Sequence, residues 1–377
     1  MRSINKSGSL IRSLWSQFRT TRSPFVITVL ILTSLSVVSY LMSFIPAFCD
    51  LYTEKVYSRT ADLLARITDK ADFAVIELLV VLLIIALLGF LALVTIKCFL
   101  VVEFGSRSIE RYLKCLIVAF LAVVFLLTQN MLIPYRGTFL GGVHTGDYAY
   151  TNEELVAFRE DICSRLLKAA DEVSRHEGLM VWYDEATVED RVARAMEKQS
   201  GKYTLLKGRN PEFKHISLYP FIENINLGGI VSPLTGEVLR GTQMIKSVSY
   251  PTLIAHEMCH HKGYYREDEA EFLSYIICSE SEDPFLRYSG LYMALYLADD
   301  MIIKEGGEEA YRRLTPVPDE VIFDTDFVTE EEYIRSHLKE DDEERWGFVW
   351  EIQSYFINGN DYKDAIKIMI EDFYKGR

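Results

Sequence analysis

The residues best suited to chemistry lie in one short stretch, 256–260, which reads His-Glu-Met-Cys-His and fits the pattern H-E-x-x-H. Residues four apart on an α-helix lie above one another on the same face. His256 and His260 are therefore candidate ligands for one metal ion, and the pattern is typical of zinc sites. Glu257, which lies between them, is the candidate general base towards the water that such an ion activates.

A catalytic zinc site takes a third protein ligand, and acidic residues just after the motif are the candidates. Glu267 and Glu271 are four apart, so they share a helix face. This spacing lets Glu267 bind the ion while Glu271 accepts the ring N–H of a ligand histidine and orients it. Glu269 lies about 200° from Glu267 around the helix and is the alternative metal ligand. His261 points about 100° away from His260 and is expected to miss the ion. A second interpretation needs no metal, because acidic residues also complement a helix N-terminus.

Several elements must position these residues. Pro251 suits the start of the motif helix and Gly263 suits its end. Short β-rich runs punctuated by Gly and Pro predict a small sheet between residues 214 and 245. This sheet could line a cleft and pair with an extended peptide, or it could simply pack against the helices. Apolar periodicity predicts further helices over about 152–175, 188–199, 267–278, 284–304 and 361–374.

The first 135 residues contain three long apolar runs, at about 24–48, 73–102 and 113–133. Each has the roughly 20 residues that a membrane-spanning helix needs. The sequence therefore predicts an α+β protein in two parts. Residues 1–135 form a membrane anchor with three transmembrane helices in the lipid bilayer, and residues 136–377 form a mostly helical domain with a small β-sheet.

Charge divides at the same place. Residues 1–135 carry 13 basic and 8 acidic side chains, a net charge of +5, whereas the remainder carries 27 basic and 46 acidic ones, a net charge of −19. An acidic domain repels phosphate, so we expect no nucleic-acid partner. The basic residues near the span ends favour a cytoplasmic N-terminus and an extracytoplasmic domain. The six cysteines form no C-x-x-C pair, which indicates no disulfide framework, and a pairing of Cys259 with Cys278 or Cys163 stays open.

The chain resembles an uncharacterised bacterial family of membrane-bound zincins, a domain of unknown function. The resemblance rests on the three spans and on four segments: Pro-Leu-Thr-Gly-Glu ending at 237, the motif at 256–263, Arg-Glu-Asp-Glu-Ala-Glu-Phe at 266–272, and Arg-Tyr-Ser-Gly at 287–290. Glu271 stands where the family pattern has Asn, and residues 238–240 also depart from it. The resemblance implies a multi-pass protein of the bacterial cell membrane with a gluzincin-like fold, and it maps the third zinc ligand onto Glu267.

The leading hypothesis is a membrane-anchored zinc metallopeptidase that acts on a peptide or protein substrate. Tyr250, Tyr264 and Tyr288 are candidate partners for the oxyanion, and the sequence does not distinguish among them. The alternative is a non-catalytic zinc-binding protein that serves as a cell-envelope sensor or binding module. The presence of Glu257 favours catalysis, because metal binding alone does not need a carboxylate there. A transporter is disfavoured, because the spans carry almost no polar residues to line a path.

Overall fold

The computed structural model describes residues 23–100, 106–138, 140, 148–177, 179–217, 228–241, 247–325, 329–338 and 364–375. The first part contains, in chain order, α1 (Pro24–Met42), α2 (Pro46–Tyr52), a π-helical turn (Thr53–Tyr57), α3 (Ser58–Thr68), α4 (Val75–Leu100), α5 (Ser106–Leu127), a second π-helical turn (Thr128–Leu132) and the short α6 (Ile133–Tyr135).

Three of these helical stretches are long and apolar enough to cross a membrane, in agreement with the three spans predicted from the sequence. They are Pro24–Met42, Val75–Ile96 and Ile109–Tyr135, with 19, 22 and 27 residues. The first ends at Met42 and not near residue 48, because Pro46 lacks an N–H and disfavours helical backbone before it. The predicted end of the second run, residues 101–102, lies outside the described residues.

The second part begins with α7 (Asn152–Glu172), β1 (Arg175–His176), β2 (Leu179–Met180), α8 (Glu185–Gln199) and a 3-10 turn (Thr204–Leu206). Then follow β3 (Phe213–His215), β4 (Gly229–Val231), β5 (Val238–Arg240), α9 (Tyr250–Lys262), α10 (Glu267–Ser279), α11 (Pro284–Tyr311), α12 (Asp319–Phe323), α13 (Glu330–Leu338) and α14 (Ala365–Lys375). The five predicted helices are present, with some different bounds. Helix α7 is capped by Thr151, whose side chain accepts from the N–H of Glu154. It ends at Glu172 and not near residue 175, because Val173 is extended and Arg175 belongs to β1. Residues 361–363 of the last predicted helix lie outside the described residues. Helix α11 runs past Lys304 to Tyr311, with a break at Gly307.

The core forms where α9, α10 and α11 pack together, with α7 and α14 against the outer side. Helix α10 is apolar on nearly every side after its acidic first turn, and residues 272–278 are all buried. A helix that is apolar on all sides is buried, because a helix at the protein surface has a polar face towards the solvent. The five cysteines in the described residues are free, in agreement with the absence of a predicted disulfide framework.

The predicted small sheet is present and has three strands in the order β3-β5-β4. Strand β5 pairs in parallel with β3 and antiparallel with β4, with Phe213 and Val231 both opposite Val238. Strand β4 therefore lies at the edge of the sheet as the structure describes it, and it contacts α9.

The Pro-Leu-Thr-Gly-Glu segment, residues 233–237, joins this sheet to the membrane helices. Both oxygens of the buried Glu237 accept hydrogen bonds from the first turn of α4, one from the N–H of Val75 at 2.7 Å and one from Ile76 at 2.8 Å. Lys214 of β3 donates to the same carboxylate at 2.8 Å. The amide of Asn130, in the second π-helical turn, donates to the carbonyl of Pro233. The segment thus caps the N-terminus of α4 through Glu237 and is hydrogen-bonded to the second π-helical turn through Pro233.

Removal of the Glu237 carboxylate is expected to destabilise the protein. Burial alone would raise the pKa of Glu237, but Lys214 and the N–H groups of α4 outweigh burial and lower it. Glu237→Ala leaves Lys214 buried without this partner, and breaking a buried ion pair costs about 3–5 kcal/mol. We expect the midpoint of thermal unfolding in detergent to fall by about 10 °C. Glu212→Ala, at an exposed position beside β3, is the matched control and should melt like the wild type.

The segment between the first two spans packs directly behind α9. The hydroxyl of Tyr57 donates to the carbonyl of His261 at 3.1 Å and also approaches that of His260 at 3.4 Å. Thr53 contacts Gly263, where a Cβ atom would lie only 2.6 Å from the Thr53 methyl group. Whether residues 1–135 and 136–377 are separate domains stays a prediction, and these contacts join the first loop to the motif helix.

Candidate metal centre

The end of α9 determines how the two helices of the centre meet. Gly263 has a φ of 110°, a left-handed conformation that side-chain-bearing residues rarely adopt. The N–H of Tyr264 donates to the carbonyl of Cys259, and the N–H of Gly263 donates to that of His260. This is a Schellman motif, which stops the helix and reverses the chain. Helix α10 begins four residues later, so its first turn lies beside the histidines of α9.

Three side chains converge at this place, two from α9 and one from α10. Oε2 of Glu267 lies 3.1 Å from Nε2 of His256 and 3.5 Å from Nε2 of His260. One ligand atom from each of the three residues lies within 4.8 Å of the others. Within the described residues, this is the group of His, Cys, Asp and Glu side chains close enough to hold a metal ion.

The other ring nitrogen of each histidine has its own acceptor. Nδ1 of His256 lies 2.8 Å from Oε2 of Glu271, and Nδ1 of His260 lies 2.8 Å from the carbonyl of Tyr264. These contacts favour the tautomer that carries its proton on Nδ1 and leaves Nε2 free to bind a metal. Both acceptors follow from local structure, because Glu271 is one turn after Glu267 and Tyr264 ends the Schellman motif.

Burial and charge set the protonation of the cluster without metal. Burial alone would lower the pKa of His256, but its hydrogen bonds to Glu267 and Glu271 raise it well above the usual value. Burial would raise the pKa of Glu267, yet His260 and His256 lower it well below the usual value. In the absence of metal these interactions therefore favour a proton on His256 and an ionised Glu267.

Glu257 is on the same helix but is not one of the three converging groups. It is buried, and its Oε2 has no hydrogen-bond partner among the described residues. Burial raises its pKa above the usual value, and the histidines oppose this shift. Strand β4 passes over it so closely that a Cβ atom on Gly229 would lie 2.6 Å from Cγ of Glu257. The result is a carboxylate with raised proton affinity beside the cluster.

Glu269 and His261, by contrast, lie outside the cluster. Glu269 faces Arg266, 3.8 Å away, and accepts a hydrogen bond from the backbone of Leu140. Burial raises the pKa of Glu269 to about 8. His261 is buried on another side of α9, and burial lowers its pKa to about 3. The structure thus brings Glu267 and Glu271 to the histidines and leaves Glu269 apart.

A cavity of about 350 Å³ opens on the cluster. Its polar side is formed by His256, Glu257, Glu267 and Glu271. Its other wall is formed by Ser249, which precedes α9, and by residues of α9 and α11: Thr252, Leu253, Met293, Tyr296 and Leu297. The sequence reasoning missed this wall. Residues 293, 296 and 297 share one helix face by their spacing, but nothing in the local sequence indicates that this face meets the cluster.

The three tyrosines proposed as oxyanion partners do not line this cavity. Tyr250, Tyr264 and Tyr288 are buried in the core, and the hydroxyl of Tyr288 donates to Asp324 at 2.7 Å. The side chains of two other tyrosines lie near the metal-capable residues. Tyr296 lines the cavity, and the ring of Tyr265 lies 6.0 Å from that of His260 while its hydroxyl pairs with Tyr57.

Fold and site together define a helical membrane protein whose domain carries a His-His-Glu cluster able to hold a metal ion. Residues 52–345 match the family described as Protein of unknown function (DUF3810), and the chain belongs to that family. The comparisons with curated proteins and with solved structures gave no match.

Proposed function

We propose that the protein is a membrane-anchored zinc metallopeptidase of the zincin type. The observation that carries the proposal is the convergence of His256, His260 and Glu267, each histidine with its second ring nitrogen already hydrogen-bonded. A nearby buried carboxylate with a raised pKa, Glu257, is what the reaction needs in addition. His256, His260 and Glu267 are the proposed zinc ligands, and Glu271 is the proposed orienting acid.

The donor set fits zinc in both chemistry and spacing. Two imidazoles and one carboxylate leave a fourth position open, as in catalytic zinc sites. Ligands bonded at about 2.0–2.1 Å to one tetrahedral ion lie about 3.3–3.4 Å apart. The contacts of Glu267 with the two histidines, at 3.1 and 3.5 Å, bracket that distance. When bound, zinc would supply Lewis-acid chemistry to a carbonyl group and to a water molecule.

Protein side chains would carry out the proton transfers and orient the zinc ligands. Glu257 would take a proton from the attacking water through its unpaired Oε2 and then deliver it to the leaving amine. A raised pKa suits this double role, because a carboxylate with its ordinary pKa is a weak base near neutral pH. Glu271 and the Tyr264 carbonyl would hold the two imidazoles in place.

Strand β4 favours a peptide over a small-molecule substrate. It lies at the sheet edge and next to Glu257, with Gly229 in contact with that side chain. An extended peptide can add to such an edge by backbone hydrogen bonds, the β-augmentation mode. The wall of Leu253, Met293 and Leu297 would then receive an apolar side chain of the peptide.

The direct test is cleavage by the purified full chain in detergent. After removal of zinc with a chelator, the protein should leave a mixed peptide library intact, and one equivalent of zinc should restore cleavage. Stoichiometric zinc binding without any cleavage would reject the peptidase and favour the non-catalytic zinc-binding alternative.

Zinc affinity is expected to rise with pH. His256 holds a proton in the metal-free cluster because its pKa is raised, so zinc must displace that proton. Affinity should increase by about tenfold per pH unit for each proton released, and the slope should flatten above the pKa of His256. Competition with a coloured chelator between pH 6 and pH 9 measures this. In Glu271→Gln one of the two acceptors that raise the pKa is weakened, so the slope should flatten at a lower pH.

A further inference from the structure

The first loop has one face that the domain does not cover. On the inner side of its helical segment, residues 46–68, four side chains pack against α9 and its surroundings: Thr53, Tyr57, Ala61 and Ala65. On the outer side, about 120–160° around the helix, lie both apolar and basic residues: Val56, Arg59, Leu63, Arg66 and Ile67. Leu63 and Ile67 are 58% and 57% exposed, although they are the type of side chain that folding normally buries.

Most charges of the loop, residues 49–72, are sorted between its two sides. Three of its five acids turn towards the domain: Asp50 accepts from Thr138, Asp62 interacts with Lys262, and Asp69 pairs with Arg209 at 2.7 Å. Of the other two, Glu54 is exposed and pairs with its neighbour Lys55, and Asp72 is exposed. The bases Arg59, Arg66 and Lys70 are exposed. The outer face is thus both apolar and positive, the combination found in helices that lie in a membrane interface.

The short links to the membrane spans keep this face close to the bilayer surface. Three residues separate α1 from the start of the segment, and six separate its end from α4. At no more than about 3.6 Å per residue, such links hold both ends of the segment close to the ends of two membrane spans. The links themselves expose apolar side chains, with Phe44 at 58% and Phe73 at 52%, so apolar surface lies on both connections between the spans and the segment.

We infer that this face is a lipid-binding surface that lies on the bilayer and contacts anionic headgroups. Leu63 and Ile67 insert between the headgroups, while Arg59, Arg66 and Lys70 extend to the phosphates. The inner side of the same segment holds α9 through Tyr57 and Thr53. The motif helix is therefore kept one helix layer above the membrane surface. This inference rests on the packing and charge of the loop and does not depend on the proposed zinc chemistry.

The test places a fluorescent reporter on the surface of the full chain in lipid nanodiscs. Cys98 and Cys115 are first replaced by serine, and the four buried cysteines (Cys49, Cys163, Cys259 and Cys278) are left unlabelled. A single cysteine at Leu63→Cys carries the label, and Glu309→Cys, at an exposed side chain of α11, is the matched control. A quencher attached to the lipid just below the headgroup should quench the Leu63→Cys label about threefold more than the control label, as the insertion depth of interfacial helices requires.

The dependence of quenching on lipid charge distinguishes binding of anionic lipid from binding of another partner at this face. Quenching should be stronger in discs of anionic phosphatidylglycerol than in zwitterionic phosphatidylcholine, and Arg59→Gln with Arg66→Gln and Lys70→Gln should remove that difference. Equal quenching at both labelled positions would overturn the inference, and so would quenching that ignores lipid charge. A label shielded from water without lipid quenching, seen only in discs with two protein copies, would assign the face to a second copy and also overturn it.

Discussion

Replacement of Glu257 by glutamine should abolish peptide cleavage while zinc remains bound. Glutamine has nearly the same shape, so it keeps the contact with Gly229, but it cannot accept the proton. Loss of a general base slows a reaction by about 10²–10⁴-fold, which corresponds to about 3–5 kcal/mol of transition-state stabilisation. Glu257 is outside the group of converging ligand atoms, so the zinc content should equal that of the wild type. Single-turnover cleavage and metal analysis on the same sample measure both quantities.

The same substitution should make the metal-free protein more stable. Burial raises the pKa of Glu257, which means that folding disfavours its ionised form and that this penalty is present at neutral pH. Glutamine removes the penalty, so the chelator-treated variant should unfold at a higher temperature than the wild type. Glu309→Gln, at an exposed position, should change neither activity nor stability. Cleavage by Glu257→Gln at the wild-type rate would show that another group is the base, and loss of zinc would show that Glu257 is a ligand.

The parts of the centre that could be predicted from the sequence depend on helix geometry alone. His256 and His260 share a face because they are four apart, and Glu267 and Glu271 share a face for the same reason. Gly263 ends the motif helix because only glycine adopts its backbone conformation readily. These relations hold within one or two turns of chain, so no knowledge of the tertiary fold was needed. The three spans were equally accessible, since bilayer thickness fixes their length.

The contacts that join distant parts of the chain could not be predicted. Tyr57 and His261 are 204 residues apart, and Glu237 and Val75 are 162 apart. A loop of mixed charge between two spans gave no local sign that Asp50, Asp62 and Asp69 face the domain while Arg59, Arg66 and Lys70 are exposed. The apolar wall of the cavity has the same origin, because the face of α11 that meets α9 is determined by packing against α7 and α10. Periodicity identifies a helix face but not its partner.

Substitution of the proposed zinc ligand Glu267, but not of its neighbour Glu269, should strongly weaken zinc binding. Glu267→Ala should lower zinc affinity by more than about 100-fold, because loss of a residue that only hydrogen-bonds to a metal ligand already costs about 10–100-fold. Glu269→Gln should leave zinc affinity unchanged, because Glu269 lies against Arg266 and away from the histidines. Both side chains are in the first turn of α10, so the pair compares two carboxylates that differ in the direction they face. Titration with a coloured chelator on full-length protein gives both constants.

Measurements of unfolding stability also distinguish the roles of Glu267 and Glu269. The pKa of Glu269 is raised by burial from 4.5 to about 8, so folding favours its protonated form. The stability of the wild type should therefore decline as pH rises from about 4.5 towards 8, and Glu269→Gln should remove that part of the decline. Glu267→Ala should instead lose the stabilisation that added zinc gives the wild type. The opposite pattern, zinc lost in Glu269→Gln and kept in Glu267→Ala, would overturn this assignment and make Glu269 the zinc ligand.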